Sequence, residues 1–473
     1  MDRCRRGAGS SVAKTAHAAG AGCRRIGWGV VMIQDLTVGD SQKTLIRYTL
    51  PMFISVVFQQ LYNIADSMIA GKFAGEDALA AVGASYPITM IFMAVAVGSN
   101  IGCSVVISQL FGAKEFSKLR TAVSTTLIAG LVLSVLLTVV GLFTTPAMMR
   151  LIQTPDNIFA EGALYLRIYI GGFVFLFLYN ITTGMFNSLG DSKTPLYFLI
   201  GSSVGNIILD LVFVSAFQWG VAGVAWATFL AQGVACVLSL LVFRRRIGEI
   251  RTEERTPVFS GELLKNIGSI AIPSILQQSF VSIGNIFIQS RVNSYGSGVI
   301  AGYSAAIKLN TFVITGFTTL GNGVSGFTAQ NIGAGKKERI SDGFKTGLKM
   351  AVCVAVPFFL LYFLAGRSML LLFMDDTGSN ALQTGKEFLK IVSPFYFVVS
   401  VKLVADGVLR GAEQMKQFMA STFTDLILRV ILAYIFSAVW GSTGIWLSWP
   451  FGWVIATGMS FVFYRSYAKK GSL

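Results

Sequence analysis

The chain has 473 residues, 53% of them hydrophobic and only 13% charged, with a mean hydropathy of +0.66. Soluble chains carry about 25% charged residues, so this composition excludes an ordinary soluble enzyme, a disordered chain and a secreted disulfide scaffold. The formal net charge of +15 would point to nucleic acid in a soluble protein, but here the placement of the charges decides their meaning.

Residues 1–40 are basic and rich in Gly, Ala and Ser, without the apolar stretch of a signal peptide. They read as an atypical N-terminal extension, and we expect the natural chain to start at Met32. From about Thr44 onward, apolar runs of bilayer-spanning length alternate with short polar loops; a span needs about 20 residues. Twelve are predicted, at 45–71, 79–110, 120–143, 161–187, 194–217, 221–243, 263–291, 298–329, 343–366, 383–409, 418–438 and 443–464. The alternating ten-residue segments of a membrane barrel are absent. The expected fold is therefore an all-α polytopic membrane protein.

Alternate loops differ sharply in basic residues. One set, which includes Arg244, Arg245, Arg246, Lys336, Lys337 and Arg339, holds 22 Lys and Arg; the other holds 7. The basic set should face the cytoplasm, which places both termini there and the protein in the cell membrane. Most of the net charge is then a topology signal, and no nucleic-acid partner is expected. The five cysteines are scattered, and the single histidine, His17, lies outside the apolar body. That excludes a histidine-based metal or catalytic site in the membrane. A membrane-embedded enzyme would need a nucleophile–base set or metal ligands; we expect no enzyme and no cofactor.

The chain also repeats itself at an offset of about 222 residues. Gln109-Leu-Phe-Gly112-Ala113 returns as Gln330-Asn-Ile-Gly333-Ala334, and Gly220-x-x-Gly223 as Gly441-x-x-Gly444. Pro51 returns as Pro273, and Tyr165-Leu-Arg-Ile as Phe388-Leu-Lys-Ile. Six helices per half is an even number, so the halves enter the membrane in the same sense. They form two pseudo-symmetric six-helix lobes, 41–250 and 251–473, around an axis along the membrane normal. Two matched lobes suit alternating access by a monomer.

Charges inside predicted spans are costly and are usually paired or functional. Lys402 with Asp406, and Asp425 with Arg429, stand four residues apart on one helix each and read as local ion pairs. Lys308 receives no role from the sequence. Asp66 and Asp210 have no Lys or Arg within one turn. Gln59, Asn63 and Asp66 make one polar stripe on the first helix, and Asn206 and Asp210 share a face of the fifth. A carboxylate withdrawn from water suits a reversible proton. With neutral oxygens beside it, supplied by Asn180, Asn206 and Thr228, it also suits sodium. Because the second-half counterpart of Asn206/Asp210 is Asp425/Arg429, which carries its own counterion, cation coupling is expected in the N-terminal lobe.

At these residues the chain resembles the multidrug and toxic compound extrusion (MATE) family. The resemblance covers about residues 41–467. It rests on the two-lobe layout, Gln59-Gln-Leu-Tyr-Asn-Ile-Ala-Asp66 after Pro51, the Gln109-x-x-Gly-Ala loop, Gly190-Asp-Ser-Lys-Thr-Pro195, Asn206-x-x-x-Asp210 and Gly220-Val-Ala-Gly-Val-Ala-Trp-Ala-Thr228. It implies a cation-coupled exporter of small organic, often cationic or amphipathic compounds. It further implies that Asp66, Asn180, Asn206, Asp210 and Thr228 form the cation site, and that Pro51 lets the first helix bend. Gln59 and Asn63 are the candidate substrate contacts. One branch of the family carries further acids on helices seven and ten. The seventh segment here, Pro273 to Val281, has none, and Asp406 lies closer to Leu409-Arg410-Gly411 than that branch implies, so N-lobe coupling alone is expected. The coupling ion, H⁺ or Na⁺, stays open. The alternative is a flippase for a lipid-linked saccharide, which should line its cavity with several basic residues.

Overall fold

The computed structural model describes residues 34–69, 76–250, 252, 256–373 and 380–469, without the side chains of 64–69 and 76–79. The expectations for residues 1–31, His17, Lys72 and the Asp66 side chain therefore lie outside the described residues. Every described element is helical. The first half holds α1 (Ser41–Ile69), α2 (Glu76–Gly112), α3 (Phe116–Leu151), α4 (Asp156–Gly171), α5 (Phe173–Ser188), α6 (Lys193–Asp210) and α7 (Gly220–Glu249). The second holds α8 (Gly261–Asn293), α9 (Ser297–Gly333), α10 (Glu338–Leu370), α11 (Asn380–Val392), α12 (Tyr396–Gly411), α13 (Met415–Trp440) and α14 (Ser442–Tyr467).

The twelve predicted spans map onto these helices in order, and all but the first and fifth are longer at both ends than hydropathy drew. Ten described spans are long and apolar enough to cross a membrane, and an eleventh is the bent pair α4/α5. The twelfth is α1, which carries Gln59, Gln60, Asn63 and Asp66 along its length. Two spans predicted as continuous are broken, and they are the fourth of each half. α4 and α5 meet at Gly172 with a 46° bend. α11 and α12 meet at a short 3-10 turn, Ser393–Phe395, where Pro394 has no N–H to continue the α-helical ladder.

The repeat is visible in backbone conformation as well as in sequence. Left-handed residues occur in matched pairs: Lys114 with Gly335, Gly190 with Glu413, and Gly220 with Gly441. Each pair ends or begins an equivalent helix, so both halves turn the chain by the same device. Among the described residues four non-glycines, Lys114, Gln153, Gln218 and Glu413, adopt this conformation with φ of 55–59°.

The lobes meet at the end of the bundle that carries the basic loops, called here the basic end. α2 crosses α8 there: a Cβ added at Gly98 or Gly102 would collide with Ile275 or Ala271. α1 crosses α9, with Phe53, Thr49 and Tyr48 filling the space over Gly316, Gly323 and Gly326. All these crossings lie in the halves of their helices nearer the basic end. The tightest is reciprocal. Gly112 at the end of α2 lies on the Gln330 backbone, and Gly333 at the end of α9 lies on the Gln109 backbone. A methyl group at either glycine would overlap a carbonyl oxygen of the other lobe. Gly112→Ala and Gly333→Ala should each lower stability by about 1–3 kcal/mol, the usual cost of overpacking. Thermal unfolding of the solubilised chain measures this, and unchanged melting of both variants would refute the close approach.

Candidate functional site

The N-lobe site is built around α6. Its end is buried: Asn206 is 2% exposed and Asp210 0%. Directly after Asp210 the helix loosens into a π-helical turn, Leu211–Ala216, closed by Phe217 N–H donating to Val212 O at 2.9 Å. Such turns are rare and recur at functional sites, because one extra residue per turn re-aims side chains. The chain then reverses through Gln218 and Gly220, both with φ of 56°, under Phe213 stacked on Trp219 at 4.9 Å. The π turn thus lets α6 end on a buried acid and hand over to α7 without leaving the lobe.

α1 reaches this site through a residue that the sequence analysis did not select. Tyr62 Oη donates to Asn206 Oδ1 at 2.5 Å, across 144 positions of chain. Tyr62 lies one residue before Asn63 in the polar stripe. Its aromatic ring disguised it as a lipid-facing residue, since tyrosine is ordinary in spans. Gln59 and Asn63 on α1 are exposed. Asn180 on α5 is half-buried, and its amide nitrogen donates to Leu176 O at 2.8 Å. Thr228 on α7 is half-buried as well. α7 packs on both α5 and α6, and α6 packs on α1. The fold therefore brings the helices that carry the candidate residues into one neighbourhood, and it joins Tyr62 to Asn206 directly.

The opposite lobe differs in kind. Lys402 Nζ lies 2.6 Å from Asp406 Oδ2 on α12, with both side chains buried. Asp406 Oδ1 also accepts from Ser460 of α14 at 2.7 Å and from Ser421 of α13 at 3.4 Å. Arg429 lies 3.8 Å from Asp425 on α13 and stacks over Trp449 at 4.5 Å. Both predicted ion pairs are present. Arg410, which the sequence analysis counted only as a loop charge, is buried instead; it donates to Asn322 at 2.8 Å and lies over Phe418. Lys308 lies 5.8 Å from the Phe373 ring centre.

At the basic end the two repeat glutamines form a matched pair of bonds between the lobes. Gln109 Nε2 donates to Gly411 O at 3.3 Å, and Gln330 Nε2 donates to Ser188 O at 2.8 Å. Ser188 ends α5 and Gly411 ends α12, the equivalent helix of the other lobe. Beside Gln109, burial pushes the Glu413 carboxyl above the usual carboxylate range, and a hydrogen bond from Gln109 opposes that shift. Residues 34–40 run over this junction. Leu36 is fully buried, and its N–H donates to Gln330 Oε1 at 3.0 Å. Arg339 donates to Gly39 O at 2.7 Å and Lys336 to Thr37 O at 2.8 Å. Replacing both Gln109 and Gln330 by Ala removes both inter-lobe donors and leaves the Leu36 N–H without its acceptor, a loss of about 1–3 kcal/mol per buried group. The junction should open more often. A cysteine placed at buried Ala329, in a background otherwise free of cysteine, would report this as faster maleimide labelling; an unchanged rate would refute the role of the glutamines.

Comparison with known proteins adds to this geometry. The family model described as MatE matches the chain twice, at residues 51–212 and 273–435, so the two matches begin at the same offset of about 222 residues as the repeat. The chain is 28% identical over 433 residues to "Probable multidrug resistance protein YpnP" of Bacillus subtilis (strain 168), covering 91% of this chain and 96% of that one. It is 23% identical over 406 residues to "Multidrug export protein MepA" of Staphylococcus aureus (strain MRSA252), covering 85% and 89%. Among solved structures, "Crystal structure of MATE in the bent conformation" superposes with a TM-score of 0.84 at 25% identity, over 93% of this chain and 98% of that one. A MOP superfamily transporter from Pyrococcus furiosus superposes with a TM-score of 0.85 at 23% identity, over 92% and 98%.

Proposed function

The chain belongs to the MatE family, and from that premise we propose that it exports small organic, often cationic or amphipathic compounds in exchange for H⁺ or Na⁺, its two lobes giving access to each side in turn. It is a multi-pass membrane transporter and not an enzyme. In this reading the basic end faces the cytoplasm, which the excess of Lys and Arg there supports, and the protein works in the cell membrane as a monomer.

The observation that carries this reading is the fully buried Asp210 at the head of a π turn, one turn after an Asn206 that Tyr62 ties to α1. Asp66, Asn180, Asn206, Asp210 and Thr228 supply carboxylate, amide and hydroxyl oxygens, a donor set that suits a proton or a hard monovalent cation. Neutralising a buried carboxylate changes which neighbours it holds. Here the change is passed to α1 through Tyr62. α1 in turn packs on α9 through Tyr48, Thr49 and Phe53. Pro51 sits inside that contact and has no N–H to offer the preceding turn, so α1 bends there at low cost. A bend at Pro51 moves Gln59, Asn63 and Tyr62 relative to the latch at Gln109 and Gln330. α1 thus links the cation site, the polar stripe and the junction at the basic end.

The flippase alternative gains no support. It calls for free basic groups in the cavity, and Lys402 and Arg429 are held by Asp406 and Asp425. Drug efflux from everted vesicles under an imposed pH gradient, or an imposed sodium gradient, tests the proposal. Efflux driven by one gradient is the expected result. Substrate movement indifferent to both gradients would overturn cation coupling.

A further inference from the structure

The linker between the lobes folds back onto α3 and α7. Ser124 Oγ donates to Val258 O at 2.6 Å, and Ser260 N–H to Thr125 Oγ1 at 3.0 Å. Arg120 reaches from α3 to Thr252 Oγ1 at 3.3 Å and to Ile247 O at 3.1 Å. Under this linker, between the basic ends of α3 and α7, lies a cleft of about 430 Å³. Its lining is graded along the membrane normal. Arg120 and Arg244 stand at the rim, each in the second turn from the basic end of its helix. Val123 and Leu127 lie one and two turns deeper on α3, and Leu240 one turn deeper on α7. The Arg120 Nε is buried and has no partner among the described residues. Beside the rim, Val258 is 68% and Phe259 48% exposed, two large apolar side chains on the linker that lies over α3. That combination belongs at a bilayer interface, where apolar and cationic groups both find partners.

Two guanidinium groups above an aliphatic slot, at the edge of a membrane-spanning bundle, complement a phosphate joined to an acyl chain. Guanidinium binds phosphate oxygens in pairs, and basic clefts between helices at the membrane surface hold anionic headgroups. A free phosphate would match the rim but leave the slot unfilled. A purely apolar compound would match the slot but leave the rim without a counterion. We propose that this cleft is a binding site for an anionic phospholipid, with its phosphate between Arg120 and Arg244 and one acyl chain along Val123, Leu127 and Leu240. Because Arg120 and Ser124 also anchor the linker that joins the lobes, a lipid here would brace the chain at the point where one lobe hands over to the other.

The test uses the full chain in a neutral detergent, titrated with short-chain phosphatidylglycerol and, separately, with phosphatidylcholine of the same chain length, followed by native mass spectrometry. Saturable binding of phosphatidylglycerol, at least about tenfold tighter than phosphatidylcholine, is expected, because both lipids carry the phosphate but in phosphatidylcholine the choline cation offsets its charge and is repelled by the arginines. Arg244→Gln removes one charge-assisted contact to the phosphate and should weaken phosphatidylglycerol binding about tenfold. Arg244 is exposed and is chosen over Arg120, whose loss would also release the linker. Leu127→Trp fills the slot and should block lipid binding while the far-ultraviolet spectrum and melting stay as in the parent. Equal affinity for both lipids, undiminished binding by both variants, or full displacement of the lipid by millimolar inorganic phosphate would each overturn the proposal.

Discussion

Replacing Asp210 by Asn yields a protein that folds and inserts like the parent but no longer moves substrate against a gradient. The amide has the shape of the carboxylate and is cheaper to bury than a charge, and the position is fully buried, so expression and melting should hold. What the amide cannot do is bind and release a proton or balance a cation. Ion-driven flux should therefore fall at least about tenfold, equivalent to 1.4 kcal/mol or more. Tyr62→Phe should reduce flux less, because it removes the tie to Asn206 and leaves the carboxylate in place. The matching control lies in the other lobe. Asp425→Asn alone leaves Arg429 in the membrane beside Trp449 without its counterion. The double change Asp425→Asn with Arg429→Gln should restore folding and keep the dependence on the ion gradient. Expression level and gradient-driven flux, measured for all four variants, separate the two roles. Normal uphill transport by Asp210→Asn would place the coupling site elsewhere.

The largest stability effect is expected at Asp406. Its carboxylate holds Lys402 at 2.6 Å and accepts from Ser460 and Ser421, so one side chain ties α12 to α13 and α14. Asp406→Ala leaves an ammonium group buried and the Ser460 hydroxyl without its acceptor, while Ser421 keeps Phe418 O at 3.0 Å. Breaking a buried ion pair from one side costs about 3–5 kcal/mol. Removing both charges, as in Lys402→Met with Asp406→Leu, avoids the uncompensated charge and should recover most of that loss. Thermal unfolding in detergent decides the matter: a double variant no more stable than Asp406→Ala would mean that the hydroxyl bonds, and not the ion pair, hold the three helices together.

How much of this is legible in the sequence follows from how far each interaction reaches along the chain. The spans were readable because burial in a bilayer depends on local composition. The ion pairs Lys402–Asp406 and Asp425–Arg429 were readable because four residues make one helical turn. The repeat was readable because equivalent helix ends keep glycine, Gly112 with Gly333 and Gly220 with Gly441. The breaks in the fourth span of each half were missed, since Gly172 and Pro394 lie in stretches that hydropathy reads as uniform. So was the π turn after Asp210, which depends on how α7 packs back on α6 and not on the composition of Leu211–Ala216.

Only the tertiary structure decided which distant residues meet. Gln109 and Gln330 read as two copies of one motif. Their exchange of bonds with Gly411 and Ser188 depends on the lobes facing each other about an axis, which no window of sequence contains. Tyr62 looked like any tyrosine in a span until α6 placed Asn206 within 2.5 Å of it. Leu36 looked like one apolar residue in a basic leader until the junction of two lobes buried it completely. In each case hydropathy and helix period set which face of an element is apolar, while the partner of a polar group is chosen by the packing of two elements 144 to 302 positions apart.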